Sequence, residues 1–239
     1  MSRDFEELDF HQTPLGDLIL RRRRMRSLDN LEIYEVILGS GFLMSSLFTA
    51  VEIALADLAF ARLGAPALDV VVGGLGLGYT ARAALGDQRV RSLIVVEALP
   101  QVIGWHQRGL VPLGEGLNRD ARCHFVPGDF FALSNSSGFD PGTPHRRFHA
   151  ILLDIDHSPR NLIHENHRGF YTPAGLEKLG THLHPGGVFA MWSDDHPDQE
   201  FMALLRGVFP KTSAEVVTFP NPILDKDSQS TVYLAQLDG

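Results

Sequence analysis

Short apolar runs recur along this chain, and from residue 68 onward they alternate with stretches whose apolar residues fall at helical spacing. The runs at 68–72, 93–96, 122–126, 148–153 and 187–192 read as strands. Helices are predicted near 79–86, 98–109 and 172–183. Strand and helix in alternation predict a mostly parallel, doubly wound α/β sheet. Two last runs, 214–219 and 231–235, predict an antiparallel pair that completes seven strands. Ahead of this region, residues 43–63 carry apolar positions at helical spacing. Residues 13–20 and 31–38 predict two short strands flanking an Arg-rich connection. The expected organisation is a small N-terminal β unit over 1–42 and a nucleoside-binding domain over 43–239. Segment 134–147, rich in Ser, Gly, Pro and His, is expected to be a surface loop.

Composition narrows the function classes. The chain has 239 residues, 44% of them hydrophobic, which supports a packed core. A net charge of −8 argues against non-specific nucleic-acid binding. The single cysteine, Cys123, excludes an internal disulfide and a cysteine-rich metal site. No apolar run reaches the roughly 18–20 residues of a transmembrane helix. The acidic start lacks the features of a signal peptide, so a cytoplasmic protein without a membrane partner is expected. Arg21, Arg22, Arg23, Arg24 and Arg26 suit a charge-protected edge strand, or an anion or acidic partner.

Candidate chemistry concentrates at residues 69–81, where Val70, Val71 and Val72 run into Gly73, Gly74, Gly76 and Gly78 before a helix begins near Thr80. Such a turn brings backbone close to a ligand and aims helix N–H groups at it. Glu97 ends the next strand, where a carboxylate can accept both ribose hydroxyl protons. Asp129 and Phe130 follow the third strand, placed for an adenine amine and ring. Asp129 is equally an N-cap. Asp154 and Asp156 follow the fourth strand, where a carboxylate can orient an acceptor amine and take its proton. All four sites thus lie at the carboxyl ends of successive strands, where open α/β sheets bind ligands. His157, His164, His167, His182 and His184 invite a metal reading, but no tight ligand spacing appears and no metal is expected.

At these residues the chain resembles the spermidine-synthase-like branch of the class I AdoMet-dependent methyltransferase superfamily, best over residues 66–192. The resemblance implies a class I methyltransferase-like Rossmann sheet. It implies that Gly74, Gly76 and Gly78 hold the tail of the cofactor, Glu97 the ribose and Asp129 the adenine amine, with Asp154 at the catalytic centre. Three departures matter. Polyamine synthases read Gly-Gly-Gly-Asp-Gly-Gly at the first turn, whereas Leu77 or Gly76 stands here at the aspartate's position. Their Asp-Glu and Tyr-His-Glu motifs are absent from residues 45–52. Their Asp-Ser-Ser/Thr-Asp-Pro loop becomes Asp154-Ile155-Asp156-His157-Ser158-Pro159. A desolvated cationic tail facing Leu77 would be costly, which favours S-adenosylmethionine over its decarboxylated form.

The expected function is therefore an AdoMet-dependent transferase moving a methyl group to an amine or other small nucleophile. Aminopropyl transfer from decarboxylated S-adenosylmethionine is the alternative. Gly76-x-Gly78-x-x-Ala81 with Glu97 also satisfies a loose dinucleotide fingerprint, so an NAD-dependent dehydrogenase and a non-catalytic nucleoside-binding protein complete the set. The exposed edges of the β unit allow a homodimer.

Overall fold

A computed structural model describes residues 4–239. Antiparallel pairing organises the first part of the chain. Strands β1 (Phe5–Thr13), β2 (Gly16–Met25), β3 (Leu31–Leu38) and β4 (Gly41–Ser45) form a four-stranded sheet in that order. The β unit thus has four strands rather than two, and it runs to Ser45 rather than ending at 42. The Arg run is part of β2 rather than a connection. Cross-strand pairing explains this: Arg21 and Arg23 converge on the buried Glu35 at 2.6 and 3.0 Å, and Arg22 meets Glu6 at 2.6 Å. Opposite charges directly across a ladder stabilise the pairing.

Helix α1 (Ala50–Phe60) is shorter than the helical spacing suggested, because residues 41–45 are drawn into the β unit as its last strand. The larger sheet then builds from β5 (Leu68–Gly73), β6 (Val90–Glu97), β7 (Cys123–Pro127), β8 (Phe148–Leu153) and β9 (Leu183–Ser193), closed by β10 (Lys211–Asn221) and β11 (Lys226–Gln236). Its order is β10-β11-β9-β8-β5-β6-β7, with the last two strands antiparallel as expected. The chain crosses from one side of β5 to the other between β7 and β8, so the order reverses at β5, and that switch is where a doubly wound sheet opens a crevice.

Connecting helices cover both faces: α2 (Tyr79–Gly86), α3 (Pro100–Gln107), α4 (Gly114–Arg119), α5 (Phe130–Ser134), α6 (Pro173–Gly180) and α7 (Gln199–Val208). Val70, Val72, Leu93, Val95, Ala150 and Leu152 pack into one core, while Val71, Ile94, Val96, Ile151 and Leu153 pack into another. Alternate side chains on each strand serve opposite faces, and both faces are covered, which is why these strands read as continuous apolar runs. Helix α7, ten residues long, lies outside the helices predicted from the sequence. Its start is fixed by Asp198, whose carboxylate accepts from the Glu200 and Phe201 amides. Residues 135–147 form a loop as expected, although Phe139 within it is fully buried. No helix among the described residues is long and apolar enough to cross a membrane.

Candidate active site

The glycine turn after β5 wraps closely around the end of β8. Gly74 has φ of +94°, and a Cβ there would collide with the Asp154 carbonyl oxygen. Only glycine meets both conditions. The turn is then held by neighbours on either side. Glu97 accepts the Leu75 amide at 3.0 Å and the Leu99 amide at 2.8 Å. Burial pushes the Glu97 carboxyl up, opposed by the Leu99, Leu75, Gly76 and Ala98 amides. Behind the turn, buried His106 meets the Gly76 carbonyl through Nε2 at 2.9 Å.

Two cavities flank the turn. The first, of about 370 Å³, is lined by Val96, Glu97, Leu99, Asp129, Phe130, Phe131, Ile163, His164 and His167, with Leu15 and Val36 from the β unit. It brings together the residues expected to hold a nucleoside except Gly78, which lines the second cavity. Asp129 also caps α5, accepting the Phe131 amide at 2.8 Å through Oδ1, as the N-cap reading expects. Phe130 is only 1% exposed and stacks on Phe139 with ring centroids 4.8 Å apart. It belongs more to the core than to the cavity wall. Phe131, not singled out from the sequence, instead stacks on His167 at 3.9 Å.

The second cavity, of about 360 Å³, lies between α1, α2, β9 and the β10–β11 pair. Glu52, Asp154 and Asp194 line it with His157, Tyr79, Phe48, Trp192 and Phe219, and no Lys or Arg does so among the described residues. The two cavities share Leu43, Met44, Gly74, Gly76, Asp154 and Ile155. Asp154 therefore stands at their junction, where the sequence placed it. Thr80 donates to its Oδ2 at 2.6 Å. Burial pushes its carboxyl up to about 6, against that hydrogen bond. Glu52 was missed. Burial, and secondarily the charge of Asp154, pushes its carboxyl up to about 8. In the sequence it is one acid in the first turn of a helix, and only distant β10 and β11 enclose it.

Asp156 does not join this pair. It is buried, and both oxygens are engaged elsewhere: Oδ1 by the Ile163 amide and His167 Nδ1, each at 2.8 Å, and Oδ2 by the Tyr171 hydroxyl at 2.8 Å. It fastens residues 157–171 as a strap beside the nucleoside cavity. The expected two-carboxylate mouth is Asp154 with Glu52 rather than Asp154 with Asp156. Of the other histidines singled out, His182 meets the Ser134 carbonyl at 2.8 Å. Asp69, His149 and His184 converge, but Asp69 is held by Arg91 and Arg146 at 2.5 and 2.9 Å. His149 Nδ1 accepts the Asp69 amide at 3.0 Å. Cys123 is inert, its thiol pushed up to about 12 chiefly by burial.

Neither the family models nor the curated sequences gave a match. Solved structures did. Spermidine synthase from Thermotoga maritima superposes with a TM-score of 0.71 at 17% identity, over 96% of this chain and 72% of that one. A spermidine synthase in complex with the transition-state analogue AdoDATO gives 0.70 at 16% identity, over 96% and 72%. A probable spermidine synthase from Corynebacterium glutamicum gives 0.65 at 18% identity, over 97% and 79%. The chain has the spermidine synthase fold. The likeness takes in the N-terminal β unit, which the sequence motifs linked to that branch only weakly.

Proposed function

We propose that this protein is an alkyltransferase that moves a group from an AdoMet-type sulfonium nucleoside to an amine. The observation that carries this reading is the second cavity, with three carboxylates, aromatic walls and, among the described residues, no Lys or Arg, joined at Asp154 to the cavity that Glu97 and Asp129 border. An amine satisfies carboxylates and aromatic faces together. The nucleoside also fits the residues present, since Gly74 and Gly76 of the turn border the cleft together with Glu97 and Asp129.

When bound, the nucleoside supplies an electrophilic carbon on sulfur. Glu97 and Asp129 hold its ribose and adenine, and the glycine turn sets its tail. Asp154 orients the acceptor nitrogen for in-line attack. The nitrogen–carbon bond forms, the carbon–sulfur pair returns to sulfur, and the proton released from nitrogen passes to the Asp154–Glu52 pair. A pair raised into the neutral range is suited to that exchange.

Aminopropyl transfer is the form of the reaction with more behind it. Three solved structures of like fold are two spermidine synthases, one of them in complex with AdoDATO, and a probable spermidine synthase, and Glu52 offers a second acid where the turn has none. Methyl transfer is favoured by one observation, the apolar Leu77 at the turn. Incubation with a panel of mono- and diamines and either donor, with products read by mass, tests the proposal. An alkylated amine is expected with one donor. Retention of NAD by the protein, with neither donor consumed, would overturn it.

A further inference from the structure

One amide of the glycine turn is held differently from the rest. The Gly74 amide donates to the Val96 carbonyl at 2.9 Å, Leu75 to Glu97 at 3.0 Å, and Gly78 to the Leu75 carbonyl at 2.7 Å. The Gly76 amide, beside Glu97, helps hold that carboxyl down. The Leu77 amide alone finds a sulfur, Met44 Sδ at 3.2 Å. A thioether is a weak acceptor.

The peptide that carries this amide is fixed from behind. The Gly76 carbonyl only accepts, so His106 donates through Nε2, and its Nδ1 is buried without a partner. That is the neutral imidazole, consistent with burial holding His106 below its ordinary value. In a trans peptide the carbonyl and the following N–H point in opposite directions. With the Gly76 oxygen turned to His106, the Leu77 N–H faces the cleft. Met44 arrives there from β4, the edge of the other sheet, and borders both cavities. Its sulfur and methyl lie so close over Gly76 that a Cβ on that residue would collide with them.

We infer that Met44 is a specificity-determining residue that sets the balance between nucleosides with and without a tail, its thioether occupying the Leu77 amide until a tail displaces it. This rests on the reading of the cleft as a site for a 5′-thio-nucleoside. Tail-free adenosine fills the first cavity and leaves Met44 seated. A nucleoside with a homocysteine or aminopropyl chain must pass the junction and move it, which the unbranched, flexible side chain permits.

Two substitutions with opposite effects test this by calorimetric titration of S-adenosylhomocysteine and adenosine. Met44→Ala removes the competitor and should tighten S-adenosylhomocysteine by about threefold to tenfold, the range of one modest hydrogen bond. Met44→Gln places an oxygen within reach of the Leu77 amide and should weaken it by a similar factor. Adenosine affinity should move less than that of S-adenosylhomocysteine in both variants. If adenosine binds and S-adenosylhomocysteine affinity moves in the same direction for both variants, or not at all, the role of Met44 is refuted. If neither ligand binds the parent, the nucleoside reading falls, and the inference with it.

Discussion

Replacing Glu52 with Gln separates the buried carboxyl pair from every other feature of the site. The Glu52 carboxyl shares with Asp154, Tyr79 and Asp194 a cavity lined, among the described residues, by no Lys or Arg, and it rises from 4.5 to about 8. A raised carboxyl carries a definite sign. Below about pH 4.5 Glu52 is protonated whether the chain is folded or not, and it has no pH-dependent effect. As pH rises, the unfolded chain loses this proton first while the folded chain retains it until about pH 8. Native stability is therefore lost progressively between those values. Each tenfold change in proton affinity is worth about 1.36 kcal/mol. Coupling to Asp154 and contact with the open cavity reduce the full shift to about 2–3 kcal/mol by pH 9. Gln is neutral throughout. Glu52→Gln should be within about 0.5 kcal/mol of the parent at pH 4.5 and about 2–3 kcal/mol more stable at pH 9. Urea denaturation at the two pH values measures this. An equal effect at both, or a loss at pH 9, would show that Glu52 is solvated or paired, and the shared-proton picture would fail.

Asp154→Asn should lower turnover by about 10²–10⁴-fold with little change in nucleoside affinity, as expected for a positioned proton acceptor, and it should bring the Glu52 titration down when read by carboxyl NMR. Glu97→Ala and Asp129→Ala should each weaken nucleoside binding by about tenfold to a hundredfold in calorimetry; Asp129→Ala should also cost about 1 kcal/mol of stability through the lost α5 cap. Asp156→Asn should loosen the strap. Faster hydrogen exchange is expected at the Ile163 and Tyr171 amides, with nucleoside affinity reduced more than turnover.

The strand runs around Val71, Ile94, Ile151 and Phe189 were legible because both sheet faces are buried, leaving few polar interruptions. Glu97, Asp129 and Asp154 were legible because each ends such a run at the crevice edge. What escaped depended on contacts between distant segments. The Arg run became a strand only through Glu35 and Glu6. Residues 41–45 left the helical pattern because β3 offered them a ladder, and this brought Met44 to the turn. Glu52 lines the second cavity because Phe219 and Ser230 close it around that acid. Asp156 looked like the partner of Asp154 by proximity in sequence. Tyr171 and His167 claim it instead, and nothing local in the sequence signals that contact.

Mass spectrometry of the products from one diamine with S-adenosylmethionine and, separately, its decarboxylated form bears most directly on amine alkylation. The diamine is expected to gain an aminopropyl or a methyl group, with methylthioadenosine or S-adenosylhomocysteine released in equal amount. Unchanged diamine and both donors intact, across acceptors that measurably bind the protein, would contradict it.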